Sequence, residues 1–212
     1  MFKKIKSIIW IIFIAIFCWL MLDLTLPYLG FDTDVDFLLT KQKIIHIRHW
    51  RYSFYIHILF SIFALAAGLT QFSNYILRNY KKIHRTMGYI YVIDVLLLAG
   101  PTGLIMGFYA NGNALAKISF MLLASLWIVF TAMAYKTALD KNFVKHRNWM
   151  YRSYALTLSA ISLRLLAMFL PKWFHLEAFS EYTVIAWLSW TVNLIVAEII
   201  IFYKRKLPAG IN

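Results

Sequence analysis

The sequence predicts an all-α fold: a polytopic membrane protein, built as a six-transmembrane-helix bundle with both termini cytoplasmic. Three observations carry this expectation. Of the 212 residues, 62% are hydrophobic and only 15% are charged, and a water-soluble domain of this size needs more polar surface than that. Six apolar runs, at roughly 8–28, 54–77, 87–109, 115–137, 150–171 and 182–203, each approach the ~20 residues that cross a hydrocarbon core. The connections between them alternate in basic content, with 15 Lys and Arg on one side (the two tails and the second-to-third and fourth-to-fifth connections) against six on the other. Because Lys and Arg accumulate on the cytoplasmic face, both termini are placed there.

The net charge of +13 does not point to nucleic acid, since the basic residues form short clusters between apolar runs. Residues 1–212 are read as a single integral membrane domain. Its single cysteine, Cys18, lies in an apolar run, so no intrachain disulfide forms.

The first run follows the basic "MFKKIK" but is not followed by a small-x-small cleavage site, so it is read as a retained helix. The connection from about 30 to 53 mixes charge with Leu, Ile and Phe, as an amphipathic segment on the outer interface would, and is the expected lid. Its "DTDVD" lacks the ligand set of a divalent-cation site and reads as a solvated helix start. Trp50, Tyr52, Tyr55, Trp173 and Tyr182 fall where an aromatic belt belongs.

In the second run, His57, Ser61, Ala64, Gly68 and Gln71 share one helical face. That face either packs tightly through its small residues or leaves room for a flat ligand. In the third run, "GPTG" at 100–103 is expected to bend the helix, because Pro101 removes a hydrogen bond. In the fifth, His146, Ser153, Thr157 and Arg164 form a stripe, eighteen residues being five turns. Arg164 either snorkels to the outer interface or lies buried against a carboxylate, a carbonyl or an anionic ligand. Asp94, Asn193 and Glu198 complete the intramembrane polar set. The two carboxyls are expected to pair with each other or with basic loop residues, to stay protonated, or to move protons.

The frame His-Arg-x-x-x-Tyr occurs twice, at 84–89 and 146–151, 62 residues apart. Arg85 with Tyr89 and Arg147 with Tyr151 suit interfacial anchoring. His84 and His146 then stand at one depth on helices of the same direction. That placement suits two axial ligands of haem b, another ligand site, or a purely structural pair. The shared frame also raises a degenerate parallel repeat of the second and third runs in the fourth and fifth.

"YIHILFSIFALAAGLTQF", "KIHRTMGYIYV" and "KHRNWMYRSYALTLSAISLRL" resemble the bacterial membrane proteins grouped as domain of unknown function 2306, over a core of about 55–170. The resemblance implies a multi-pass protein of the bacterial cytoplasmic membrane. It marks His57, Gln71, His84, Arg85, Gly88, Tyr91, His146, Arg147, Met150, Arg152, Ser153 and Arg164 as motif residues, and it implies no reaction. The functional expectation is binding of a small or anionic ligand in a polar site among the second, third and fifth spans, with candidates His57, Ser61, Gln71, Ser153, Thr157 and Arg164. The alternative is a haem-b electron carrier using His84 and His146. The expected partners are the lipid bilayer and a small molecule, with no nucleic acid.

Overall fold

The computed structural model describes residues 2–173 and 178–206; side chains are described from Ile9 onward, apart from Trp10, Asn74, 173–180 and Lys206. His175 and Glu177 lie outside the described residues, as do the side chains of Lys3, Lys4, Lys6, Trp173 and Lys206. Nine α-helices account for most of the described chain, and no strand occurs in it. Six stretches are long and apolar enough to cross a membrane: 11–30, 48–71, 81–108, 114–139, 143–172 and 181–205. Large apolar side chains such as Ile12, Phe63, Val129 and Ile199 stand exposed along them, as lipid-facing surface requires.

The chain divides into two compact units, Met1–Met106 and Gly107–Asn212, each carrying three of the six spans. In the first unit, α1 (Phe2–Thr25) packs on α2 (Arg48–Gln71). After the short α3 (Asn74–Asn79), capped by Ser73 at the Ile76 amide, the chain returns antiparallel to α2 as the third span. This span is three pieces: α4 (Lys81–Ile93), a π segment (Asp94–Ala99) and α5 (Gly100–Phe108). The expected distortion at Pro101 therefore appears up to a turn and a half earlier. Proline withholds its N–H from a carbonyl four or five residues back, and that carbonyl lies inside the π segment.

The connection between the first two spans forms two 3-10 turns, Leu26–Gly30 and Asp36–Lys41. It is fastened to the start of α2 by rings: Phe54 meets Tyr28 edge-on at 5.1 Å and stacks with Trp50 and Phe37. The Tyr28 hydroxyl accepts the Phe37 amide at 3.1 Å. Helix α2 begins at Arg48 rather than near 54, so the C-terminal end of the expected amphipathic lid is in fact the first turn and a half of a span.

In the second unit, α6 (Ala114–Leu139) and α7 (Phe143–Thr157) pack along their lengths, and α8 (Ser159–Trp173) continues α7 after a break at Leu158. Helix α9 (Ala178–Lys206) packs on α6, α7 and α8. Asn113 caps α6 at Ala116 and accepts the Thr183 hydroxyl of α9, and Asn142 caps α7 at Lys145. Thr157, the last residue of α7, bonds back to the Ser153 carbonyl at 3.3 Å just before the break. Shifting the π segment by the same 62 residues that relate the two His-Arg-x-x-x-Tyr frames carries it onto 156–161, which bracket Leu158. The two helix pairs are thus interrupted at matching places.

Candidate functional site

Helix α2 and the third span meet along a seam of small residues, and two polar side chains of α2 fill notches left by glycine. A Cβ at Gly103 would lie 3.0 Å from Cε1 of His57, and one at Gly88 would lie 3.3 Å from Oε1 of Gln71. Fourteen residues separate His57 from Gln71 and fifteen separate Gly88 from Gly103, about 21 Å of helix in either case. The two knobs therefore fix the register of an antiparallel pair. Each also satisfies a backbone carbonyl across the seam. His57 Nδ1 donates to the Ala99 carbonyl at 2.9 Å, and Gln71 Nε2 donates to the His84 carbonyl at 2.8 Å. A carbonyl can only accept, so His57 carries its hydrogen on Nδ1 in this arrangement. Of the face expected on α2, Ala64 and Gly68 are buried while His57, Ser61 and Gln71 are half-buried. Close packing fills that face at both of its polar ends.

Between the two knobs the seam is not satisfied. Asp94 opens the π segment and is 2% exposed, and neither carboxyl oxygen has a hydrogen-bond partner among the described residues. Across the seam only the Ala64 backbone of α2 comes near enough for a weak contact with it, short of a well-formed hydrogen bond, and on its own helix Tyr91 is fully buried. The other end of the π segment is closed by side chains. Thr102 Oγ1 donates to the Leu98 carbonyl at 2.6 Å and lies 3.3 Å from that of Ala99, which also receives His57. Thr102 and Gly103 belong to the "GPTG" whose proline alone stood out in sequence. Their fit to His57 depends on helix register, which sequence does not display.

The second unit places Ser153 and Thr157 in a different setting. Ser153 is fully buried and its hydroxyl lies 2.7 Å from that of Thr131, which itself donates to the Trp127 carbonyl. Thr157 accepts the Trp127 indole N–H at 3.0 Å. Asn193 bridges Ser162, the Ala155 carbonyl and the Ser189 carbonyl. Ser119 links the Ala186 carbonyl to the Trp190 indole. Every hydroxyl in this set has a partner, each contributing about 0.5–1 kcal/mol, so the network reads as structural. Thr131 and Trp127 gave no sign of this role in the sequence, because partners across a helix pair carry no fixed spacing.

Arg164 does not share the burial of Ser153 and Thr157. It is exposed and donates to the Ala160 carbonyl of its own helix at 2.9 Å. The five-turn stripe presumed an unbroken helix, and the break at Leu158 ends that register. Glu198 pairs with Arg152 along one guanidinium edge by two parallel bonds, Nη2 to Oε2 at 2.8 Å and Nε to Oε1. The Trp149 ring lies 4.7 Å beneath the guanidinium.

His84 belongs to the first unit and His146 to the second. His146 Nδ1 donates to the Ala134 carbonyl at 2.8 Å. This joint mirrors the Gln71–His84 one with donor and acceptor exchanged: in one unit the earlier helix gives the side chain, in the other the later helix does. Arg85 and Tyr89 are exposed, whereas the Tyr151 hydroxyl accepts from Lys204 of α9. Within the first unit, the His57 ring and the His84 backbone carbonyl take part in joints at opposite ends of the seam, so the two histidines are not brought together there. Among the described residues, no three His, Cys, Asp or Glu side chains gather as a metal site.

Against known proteins, residues 54–201 match the family described as "Predicted membrane protein (DUF2306)". No curated protein and no solved structure matches the chain. The match takes in the whole seam of the first unit from Phe54 onward and nearly all of the second unit's network. The chain belongs to the DUF2306 family of predicted membrane proteins.

Proposed function

We propose that this protein is a non-catalytic binding protein, transport-like in kind, whose site for a small polar molecule lies along the seam between α2 and the third span. The observation that supports it is Asp94. A carboxyl without a partner is expensive in a membrane interior and is retained where something binds to it. A π segment beginning at the same residue strengthens the reading, since such segments concentrate at functional sites. His57, Gln71 and Thr102 frame the site, while Ser153 and Thr157 serve packing in the second unit. A buried carboxyl repels a second negative charge, so the ligand is neutral or cationic rather than anionic. The asymmetry of Lys and Arg supports a bacterial cytoplasmic membrane location with the Gln71–His84 end of the seam at the cytoplasmic side.

The test is thermal unfolding of the purified full chain in detergent against a panel of amines, amino acids, sugars and carboxylates. A stabilising compound is expected whose effect is lost in His57→Ala and kept in Arg164→Ala. Loss in Arg164→Ala alone would move the site to the second unit. The same sample separates the haem alternative. A Soret band and sharp reduced α bands that vanish in both His84→Ala and His146→Ala would establish a cytochrome, and a colourless folded sample from haem-replete cells would remove it.

A further inference from the structure

One end of the second unit holds two cations that meet no carboxylate. Arg147, half-buried near the start of α7, has its Nε buried and unpartnered. Lys204, half-buried near the end of α9, donates to the Tyr151 hydroxyl and stands 4.7 Å from the centroid of that ring. Tyr151 comes one turn after Arg147 and Asn148, and a helical side chain leans back over the turn before it. Arg147, Asn148 and Lys204 are therefore gathered around one ring. Asn148 is only 8% exposed, yet its amide makes no hydrogen bond among the described residues.

No described carboxylate lies within ion-pairing distance of Arg147 or Lys204. Glu198, the acid nearest to Lys204 along α9, is taken by Arg152. Glu181 lies toward the other end of α9, roughly 35 Å of helix from Lys204, and Glu177 precedes α9 in sequence. The anion that would complete the cluster is thus supplied from outside the chain.

The position selects its source. The fifth and sixth spans are Phe143–Lys172 and Glu181–Arg205, so both cations sit close to the ends of spans. Phe143, Val144, Phe202 and Tyr203 stand exposed close by in sequence, an apolar rim suited to acyl chains. Phospholipid phosphates lie at that depth, and basic pockets between helix ends bind anionic headgroups. A guanidinium matches phosphate oxygens along one edge, an ammonium adds a point charge, and the carboxamide supplies a further N–H.

We propose that Arg147, Asn148 and Lys204 form a site for the phosphate of an anionic phospholipid between the start of α7 and the end of α9. The site lies wholly in the second unit and stands independently of the binding reading for the seam.

The full chain in neutral detergent is titrated with dioleoylphosphatidylglycerol, with dioleoylphosphatidylcholine and with inorganic phosphate, and its unfolding midpoint is followed. Phosphatidylglycerol should raise the midpoint saturably, while phosphatidylcholine and inorganic phosphate should not. Arg147→Gln and Lys204→Gln should each raise the half-saturating concentration roughly tenfold. Lys136→Gln, an equal loss of charge on an exposed side chain of α6, should leave it nearly unchanged. Asn148→Leu removes an amide that bonds to no described residue, so it should unfold no lower than wild type without lipid and still need more phosphatidylglycerol. Should a charge variant fail to fold, Asn148→Leu carries the comparison. Equal titrations for wild type and Asn148→Leu would overturn the proposal. So would an effect of Lys136→Gln as large as that of Arg147→Gln, which leaves only a general attraction of the basic surface. Stabilisation by inorganic phosphate that is lost in Arg147→Gln would make the ligand a soluble phosphate and overturn the lipid assignment.

Discussion

Gly103→Leu should be among the most damaging single changes in the first unit. Its Cβ would stand 3.0 Å from Cε1 and 3.2 Å from Nδ1 of His57, a ring tethered to the Ala99 carbonyl and unable to swing away without losing that bond. Overpacking of this kind costs about 1–3 kcal/mol, and the lost His57–Ala99 hydrogen bond adds to it. Unfolding midpoints in detergent should fall accordingly. Adding His57→Ala to Gly103→Leu should recover part of the loss, because the two residues occupy one space. Gly88→Ala is the contrast. Its Cβ would meet only the end of the flexible Gln71 side chain, at 3.3 Å, so a loss of under about 1 kcal/mol is expected. Equal damage at both glycines would mean that the notches do not set the helix register.

Arg152 and Glu198 carry the second large effect. Their guanidinium and carboxylate meet edge to edge, with the Trp149 ring below. Glu198 is about half exposed as a side chain and Arg152 18%, so in water the pair would contribute little. Glu198 lies within an apolar span, however, where lipid replaces that water and a lone charge is costly. Glu198→Ala and Arg152→Ala should each cost about 1–3 kcal/mol, while Arg152→Met with Glu198→Leu should cost less than their sum. Arg152→Lys should not behave as wild type, since a lysine can neither form the two-bond contact nor stack on the indole as a guanidinium does. A double-mutant cycle that proves additive would contradict the pairing.

What the sequence displays here follows from what is local. The six spans are readable because hydrocarbon thickness and residue polarity set them. Their ends are less so, because helices run on past the apolar stretch: α2 starts at Arg48, and α7 starts at Phe143 behind its Asn142 cap. The shared face of His57 and Gln71 is a matter of period and was visible. What that face meets, Gly103 and Gly88, depends on how two helices slide against each other, and no spacing within one helix encodes that. Asp94 was visible as a polar residue in an apolar run, but its isolation shows only once α2 covers it. Arg164 illustrates the opposite failure: an exact helical period joined it to Ser153 and Thr157, and the break at Leu158 separated them.

The second unit holds a satisfied hydroxyl network, whereas the first holds a carboxyl without a well-formed hydrogen bond. That contrast is tested most directly by comparing the ligand-free stability of Asp94→Leu with that of Ser153→Val. A residue kept for binding is expected to cost stability, so Asp94→Leu should unfold at a higher temperature than wild type. Ser153→Val should unfold at a lower one, because it strips the Thr131 hydroxyl of its partner in a fully buried site. A lower midpoint for Asp94→Leu with an unchanged one for Ser153→Val would contradict the account, making Asp94 the structural residue and leaving the Ser153 network without weight.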